Sequence, residues 1–388
     1  MSAAPAVSVG SRACASTVKS SDMSAWNGSS SVWSSSKTVS DVLCSMLFRK
    51  NQQQHGNELS CLSIDGLTIG KLLGRGGFGN VFAVAKNTEK LEIMACKIFD
   101  MNGLISSNGV KLQAEVLNAL QEIQVMKYLS SCSLSSIAPI VHLLDVYDAS
   151  DGRPCAAMEL CLGGSLFDLL QDKYRQEKTL TCREAALVIY KIGIALLFCH
   201  ENHIVHLDVK PSNILFRHRE DLSSAWLRDF GLSYGLFQTE AVVLGQKNGV
   251  SVEYINDKVF EGIGTQGYSA PELMNGGFLS KAADIWSLGA TLLEMLTGEE
   301  VPVHSVAVSE WWAKDAATKL EQELSNRMNG WKELDSTAQD LILAMLCPDF
   351  MARLPLTHVL IHPWLLNNLF HAPPGQEDAC TDASTTVE

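Results

Sequence analysis

Five short motifs, built mostly from glycine, charged and amide residues, follow one another along this chain of 388 residues. They read Gly-Arg-Gly-Gly-Phe-Gly-Asn-Val, Met-Ala-Cys-Lys, His-Leu-Asp-Val-Lys-Pro-Ser-Asn, Asp-Phe-Gly and Ala-Pro-Glu, at residues 74–81, 94–97, 206–213, 229–231 and 270–272. Any one of them can occur by chance. Because all five occur in a fixed order and at workable spacing, chance is excluded, and we expect one fold to assemble them into one site.

In residue types and order, these motifs resemble those of the eukaryotic protein kinase superfamily, over about residues 67–366. Lys210 and residues 264–272 resemble its serine/threonine members, with tyrosine or dual specificity as an alternative. The resemblance implies an α+β fold with two lobes, a small antiparallel-sheet lobe and a larger helical lobe. It also implies an ATP-dependent enzyme that uses Mg²⁺ to transfer the γ-phosphate to hydroxyl groups of protein substrates.

The hydrophobic pattern of the chain agrees with this architecture. Apolar residues predict two strands over residues 67–73 and 81–85, with the glycine loop as their hairpin, and three further strands of the same sheet over 92–99, 141–148 and 154–160. Apolar residues recur every three or four positions over 116–129 and predict one helix between the third and fourth strands. Beyond Gly164 the pattern is mainly helical. Its most apolar stretch, 185–199, is too short to cross a ~30 Å hydrocarbon core, so we predict a buried helix there.

The two ends of the chain differ in composition from its middle. Residues 1–63 are rich in serine and poor in aliphatic side chains, which predicts disorder because little apolar burial offsets the ordering entropy. An organellar transit peptide is the alternative. Within this segment, residues 42–48 are mainly apolar. They are either a short amphipathic docking piece or, as the sequence favours, hydrophobic only incidentally. The predicted kinase domain spans 64–366, divided at residue 160, and 367–388 form an acidic tail that we also predict to be disordered.

The charge of the chain excludes one class of partner. The formal net charge is −13, whereas binding to nucleic acid requires clustered lysine and arginine. We therefore expect no binding to nucleic acid. The resemblance implies protein substrates bearing serine or threonine, and we expect an intracellular location in the cytoplasm or the nucleus.

The glycine loop is a weak signal by itself, because dinucleotide-binding folds use the same glycine spacing and open a helix at the third glycine. Here residues 80–84, Asn-Val-Phe-Ala-Val, continue as a strand, which favours a flap whose glycines let the backbone approach phosphate oxygens. The resemblance then assigns a set of nucleotide-binding residues from both lobes. They are Gly74, Gly76, Gly77, Phe78, Gly79, Val81, Ala95, Lys97, Met158, Glu159, Cys161, Leu215 and Asp229.

Lys97 is the residue that the resemblance places on the α- and β-phosphates, paired with a glutamate of the helix. A strand lysine that faces water would be the better interpretation if the motif stood alone. Two glutamates compete for it, Glu115 and Glu122, which lie seven residues apart and so on one helical face. The run at residues 122–129 matches the family pattern and favours Glu122, at the cost of short insertions near 102–110 and 130–136.

Four residues carry the catalytic assignment. By resemblance, Asp208 accepts or orients the proton of the substrate hydroxyl, and Lys210 neutralises charge on the transferred phosphate. Asn213 and Asp229 offer the oxygen ligands that Mg²⁺ prefers. With Lys97 and Glu122 they form the predicted catalytic set. A scaffold that binds partners through the same fold without catalysis is the alternative, and the retention of these residues favours the enzyme.

Leu207 departs from the family pattern. In most members an arginine at this position pairs with a phosphorylated residue of the activation segment, which here runs from Asp229 to Glu272. Leucine offers no donor to phosphate, so we expect weaker control by phosphorylation, unless Arg228 takes over this role. The segment after Asp229 is long and includes an irregular insert at 239–262, which we predict to be mainly an unstructured surface loop. Three further residues receive structural roles by resemblance: an ion pair between Glu272 and Arg353, and Asp284 beneath the catalytic loop.

Overall fold

A computed structural model of the chain describes residues 62–87, 91–100, 109–235, 242–247, 250–256, 262–276, 278–301 and 315–370, together with Leu47. Most of the serine-rich segment 1–63, most of residues 42–48, and all but the first four residues of the acidic tail lie outside the described residues.

The small lobe contains a five-stranded antiparallel sheet with the strand order β1-β2-β3-β5-β4. Its strands are β1 (Leu67–Gly76), β2 (Gly79–Asn87), β3 (Leu91–Phe99), β4 (Leu143–Asp148) and β5 (Pro154–Met158). The pairing of β1 with β2 continues to Gly76 and Gly79, so the glycine loop is a hairpin whose tip is Gly77-Phe78. A Cβ atom on Gly79 would collide with the carbonyl oxygen of Ile98 in β3. The third glycine therefore lets the hairpin lie close against the neighbouring strand.

Helix α1 (Gly109–Ser131) is the predicted helix between the third and fourth strands. Ile123, Met126 and Leu129 are buried in the large hydrophobic core, as their spacing predicts. The helix extends into the predicted insertion at 130–136, and the rest of that insertion includes a short 3₁₀ helix (Ser135–Ile137). The loop that follows α1 is therefore compact and partly helical.

The large lobe is mainly helical, and the two-lobed α+β prediction is confirmed. Its helices are α2 (Leu166–Tyr174), α3 (Cys182–Glu201), α4 (Pro271–Gly276), α5 (Ala282–Thr297), α6 (Ala316–Arg327), α7 (Ser336–Met345), α8 (Leu356–Val359) and α9 (Pro363–Phe370). Short strands β6 (Ile204–Val205), β7 (Ile214–Phe216), β8 (Ala225–Leu227) and β9 (Tyr234–Gly235) carry the catalytic loop and the start of the segment after it.

Helix α3 is the buried helix predicted from the most apolar stretch. Thr181 and Glu184 form a reciprocal capping box at its start, and it leads directly into the strand before the catalytic loop. None of the described helices is long and apolar enough to span a bilayer. Helix α9 continues to Phe370, past the predicted end of the domain at residue 366, and Leu369 packs against the core.

The prediction of an unstructured loop at 239–262 is wrong for most of that insert. It contains a hairpin of β10 (Val242–Lys247) and β11 (Val250–Asn256), and β11 pairs with β12 (Phe278–Ser280) after α4. The register joins Tyr254 to Ser280 and Asn256 to Phe278. The hairpin itself pairs locally, but residues 254–256 pair with a strand more than twenty residues away, which local sequence does not reveal.

Candidate active site

Lys97 on β3 and Glu122 on α1 form a buried ion pair. The Nζ atom lies 2.8 Å from Oε1 and 2.7 Å from Oε2 of Glu122, and 3.3 Å from Oδ1 of Asp229. Burial disfavours the ammonium, but the charges of Glu122 and Asp229 outweigh it, so the pKa of Lys97 is raised. Of the two glutamates that the sequence left open, Glu122 is the one seen at Lys97.

Phe78, at the tip of the glycine loop, faces into the same site. Its ring centroid lies 5.7 Å from Nζ of Lys97, and a Cβ atom on Gly231 would come within 3.1 Å of its ring. The same added atom would lie 3.1 Å from Glu122 Oε2 and 3.2 Å from Asp229 Oδ1. Glycine at 231 thus allows the hairpin tip, α1 and the Asp-Phe-Gly motif to meet at one point.

The carboxylate of Asp208 is held by donors on both of its oxygens. Oδ1 accepts from the Thr265 hydroxyl at 2.6 Å, while Oδ2 lies 2.8 Å from Lys210 Nζ and 2.8 Å from Asn213 Nδ2. Lys210 also donates to the Thr265 hydroxyl. Because each oxygen has a fixed partner, the carboxylate has one defined orientation on the floor of the cleft.

Asn213 and Asp229, the predicted metal ligands, suit a magnesium ion. Asn213 turns its Nδ2 group towards Asp208, which directs its amide oxygen to the opposite side. The Asp229 side chain remains 27% exposed, and although burial opposes ionisation, Lys97 and Arg228 lower its pKa. Within the described residues no group of three or more His, Cys, Asp or Glu side chains could hold a metal ion. Two oxygen ligands supplemented by phosphates and water are what Mg²⁺ uses in such sites.

Asp284 on α5 holds the backbone of the catalytic loop. Its Oδ2 accepts from the His206 amide and its Oδ1 from the Leu207 amide, each at 2.8 Å, and His200 Nε2 lies 2.8 Å from Oδ2. Burial raises the pKa of Asp284, but the contact with His200 and the backbone bond outweigh burial and lower it. A buried, ionised carboxylate with three partners fixes the loop that presents Asp208.

The hinge between the lobes begins at Met158, which pairs with Ala95 across the sheet and is buried. Glu159 directs its carboxylate away from this strand pair, to His142 Nδ1 at 2.9 Å, while its amide donates to the His142 carbonyl. Burial and the Glu159 carboxylate raise the pKa of Cys161 to about 12, so its thiol is neutral. Val81 on β2 and Leu215 on β7 are half-buried and pack against the core.

A family model described as the protein kinase domain matches residues 67–365. The chain belongs to the protein kinase family. Several protein kinases of plants are similar to it. A calcium and calcium/calmodulin-dependent serine/threonine-protein kinase of Lilium longiflorum is 33% identical over 66% of this chain and 44% of its own length. A protein of the same description from Oryza sativa subsp. japonica is 31% identical, over 78% and 56%. Calcium-dependent protein kinase 14 of Arabidopsis thaliana is 30% identical, over 77% and 49%.

The chain spans about half the length of these curated relatives. The similarity therefore describes a kinase domain, and the calcium dependence in their names is a property of those proteins.

Two side chains that contribute to this kinase site were not predicted from the sequence. Gln121 donates from Nε2 to the Ser233 carbonyl at 2.8 Å, which ties α1 to the residues after the Asp-Phe-Gly motif. The ring centroid of Phe99 lies 5.1 Å from Lys97 Nζ. Gln121 precedes Glu122 on the helix, and Phe99 lies two residues after Lys97 on the strand. These positions beside predicted site residues could have indicated them, but neither residue belongs to the motifs that predicted the site.

Arg228, proposed from the sequence as a substitute for the missing arginine, has a different role in this kinase. Its Nε and Nη2 atoms donate to the Ser212 carbonyl at 3.2 and 3.1 Å, within the catalytic loop. Leu207 is buried with a left-handed φ of 68°, and its side chain belongs to the core. Among the described residues, the contacts of both side chains are thus with the catalytic loop and the core.

Proposed function

We propose that this protein is an ATP-dependent serine/threonine protein kinase. The observation that carries the proposal is the arrangement around Asp208, whose carboxylate is fixed by Lys210, Asn213 and Thr265. A carboxylate oriented this way accepts or orients the proton of an incoming hydroxyl, and Lys210 beside it neutralises charge on the phosphoryl group in transfer.

The nucleotide would lie between the lobes, with its phosphates under the glycine hairpin. Lys97, held by Glu122, would bind the α- and β-phosphates, while Asn213 and Asp229 would hold Mg²⁺. The metal supplies charge neutralisation on the phosphate oxygens when bound. The Glu159 carbonyl and the Cys161 amide are the hinge groups that we assign to adenine, since the Glu159 amide already bonds His142.

The buried charges favour an enzyme over a partner-binding scaffold. Lys97 is 6% exposed, Glu122 2% and Asp208 9%, and burying ionised groups carries a free-energy cost that a scaffold would not need. A fold used for binding alone could replace them with apolar side chains and gain stability. We further propose an intracellular location, where ATP and protein substrates are both present.

The specificity of the proposed reaction is tested with a peptide library. The full-length protein is incubated with ATP, Mg²⁺ and peptides that carry serine, threonine or tyrosine as the single hydroxyl. We expect phosphoserine and phosphothreonine as products, because Lys210 bridges to Thr265 in the manner of serine/threonine kinases. Phosphotyrosine as the main product would refute the assigned specificity while leaving phosphotransfer itself established.

Replacement of Thr265 by alanine should lower kcat by at least about tenfold. The change removes one hydrogen bond to the ionised Asp208, and such bonds contribute roughly 1.5–3 kcal/mol. Thr265→Ser keeps the hydroxyl and should restore most of the activity, which a general packing defect would not predict.

Segment phosphorylation should matter much less than Thr265. The insert at 239–262 carries Ser251 and Tyr254 as candidate phosphorylation sites. Ser251→Ala and Tyr254→Phe should change kcat little, and phosphatase treatment should leave most of the activity, because Leu207 offers no donor to a phosphate. A large, reversible loss of activity on dephosphorylation, traced to one segment residue, would contradict this account.

A further inference from the structure

Ser233, four residues after Asp229, joins three parts of the domain by hydrogen bonds. Its backbone amide donates to the Phe230 carbonyl at 3.1 Å and closes a turn at the Asp-Phe-Gly motif. Its hydroxyl donates to the His206 carbonyl of the catalytic loop at 3.3 Å, and its own carbonyl accepts from Gln121 Nε2 on α1 at 2.8 Å. Because Ser233 is fully buried, each of these polar groups depends on a protein partner.

The bond from Gln121 meets α1 at the turn that also serves Lys97. Gln121 is followed by Glu122, whose carboxylate pairs with Lys97. Successive side chains on a helix differ in direction by roughly 100°, so Glu122 can face β3 while Gln121 faces the start of the activation segment. One turn of α1 is therefore held from two directions, by an ion pair to the sheet and by an amide bond to the segment.

The same hydrogen bonds continue from Ser233 into the large lobe. His206, whose carbonyl accepts from the Ser233 hydroxyl, donates its own amide to Asp284 on α5 at 2.8 Å. Directly after Ser233 the chain forms β9, which pairs with β6 just before the catalytic loop. The position of α1 is thus linked to that of the catalytic loop through one buried residue of the activation segment.

Leu207 gives this link its importance. Leucine has no donor for a phosphate, so a phosphorylated segment residue gains no charge partner at this position. The Arg228 guanidinium donates to the Ser212 carbonyl within the catalytic loop. By contrast, the bond from Gln121 to the Ser233 carbonyl joins two neutral groups that are present in the chain as synthesised. It needs no modification to form.

We propose that Gln121 is a positioning residue of the kinase site. Its amide holds the start of the activation segment against α1, and so keeps Glu122 on Lys97, in the place of a phosphate clamp. Gln121 acts through Ser233 and Glu122 rather than on the reacting atoms. The hydrogen bond itself is independent of phosphotransfer, whereas its effect on turnover rests on the proposed kinase function.

Hydrogen exchange of the full chain, followed by mass spectrometry, tests the bond without an activity assay. Gln121→Glu keeps the shape of the side chain but replaces the donor with a carboxylate, which repels the Ser233 carbonyl. We expect the backbone amides of residues 233–235 to exchange about tenfold faster in this variant, because the start of the segment opens more often. A tenfold change corresponds to about 1.4 kcal/mol, which lies within the net contribution of one protein hydrogen bond.

Two further variants separate donation from packing. Gln121→Lys supplies a donor on a side chain long enough to reach the same carbonyl, and its exchange at 233–235 should stay close to that of the unaltered protein. Gln124→Glu makes the same chemical change as Gln121→Glu on an exposed residue of the same helix, and should leave the exchange unchanged. Treatment of the unaltered protein with phosphatase should also leave it unchanged.

Three results would overturn the proposal. The first is equal exchange at 233–235 in the Gln121→Glu and unaltered proteins. The second is exchange in Gln121→Lys as fast as in Gln121→Glu, which would reduce Gln121 to a packing role. The third is faster exchange after phosphatase treatment, which would show that a phosphate holds the segment.

Steady-state kinetics on the same proteins keep this inference distinguishable from the proposed function. Gln121→Glu should lower kcat/KM for ATP several-fold, because molecules in which Lys97 is unpaired do not position the α- and β-phosphates, and Gln121→Lys should keep most of it. Faster exchange in Gln121→Glu with an unchanged kcat/KM would contradict the link from Gln121 to the Lys97–Glu122 pair. Faster exchange in Gln121→Glu, in a protein that transfers no phosphate, would support the clamp and count against the proposed function alone.

Discussion

Asp208→Asn is expected to lower kcat by at least about 10²-fold, while the Kd for ATP with Mg²⁺ stays nearly unchanged. The lower bound is the usual loss when a general acid–base group is removed. The Asn side chain can keep the local structure, because its carbonyl oxygen can accept from Lys210 and Asn213 while its amide donates to the rotatable hydroxyl of Thr265. The charge is lost, and with it the acceptor for the substrate proton.

Steady-state kinetics with a peptide substrate, together with calorimetric titration of ATP, separate the two parts of this prediction. Asp172→Asn, which neutralises an exposed carboxylate on α2, is the matched control and should leave both constants unchanged. If Asp208→Asn kept the original kcat, the catalytic assignment would be wrong. If it lost ATP binding as well, Asp208 would have a structural role in the nucleotide site.

Arg353→Met is expected to lower the free energy of unfolding by about 3–5 kcal/mol, as typically follows the loss of one partner of a buried ion pair. Arg353 Nη1 and Nη2 donate to Glu272 Oε1 and Oε2 at 2.6 and 2.9 Å, and both side chains are fully buried. The guanidinium also donates to the carbonyls of Ala282 and Cys347. Without the arginine, the Glu272 carboxylate remains buried and uncompensated.

Chemical denaturation of the variants measures this effect. The double variant Glu272→Leu/Arg353→Met removes both charges and should recover much of the lost stability, since no isolated charge remains. Arg175→Met breaks an exposed pair with Asp172, whose side chains are 73% and 66% exposed, and should cost less than about 1 kcal/mol. A single variant no less stable than this control would show that the buried pair contributes little to the fold.

The sequence predicted those parts of the site that local patterns determine. Glu122 could be chosen over Glu115 because the run that it begins matches the family pattern, and the structure places its carboxylate on Lys97. Asp208, Lys210 and Asn213 lie within six residues, so their motif also fixes their proximity. The small-lobe strands could be found because each is an alternating or continuous run of mainly apolar residues over five or more positions.

What the sequence did not predict depends on contacts between distant residues. The hairpin of β10 and β11 is completed by β12, and no local pattern announces that pairing. The Gln121 bond to the Ser233 carbonyl joins residues that are 112 positions apart. The role of Arg228 was likewise decided by the carbonyl that the folded catalytic loop offers to it.

The residues around Asp208 and Asp229 are those that we propose to transfer the γ-phosphate of ATP. The most direct test of this proposal is transfer of labelled γ-phosphate from ATP to a serine/threonine peptide by the full-length protein, with Mg²⁺ and with excess chelator, beside Asp229→Ala. We expect turnover with Mg²⁺ in the unaltered protein, and loss of that turnover in chelator and in Asp229→Ala. A folded protein that binds ATP but transfers no phosphate, or an Asp229→Ala variant that retains full turnover, would contradict it.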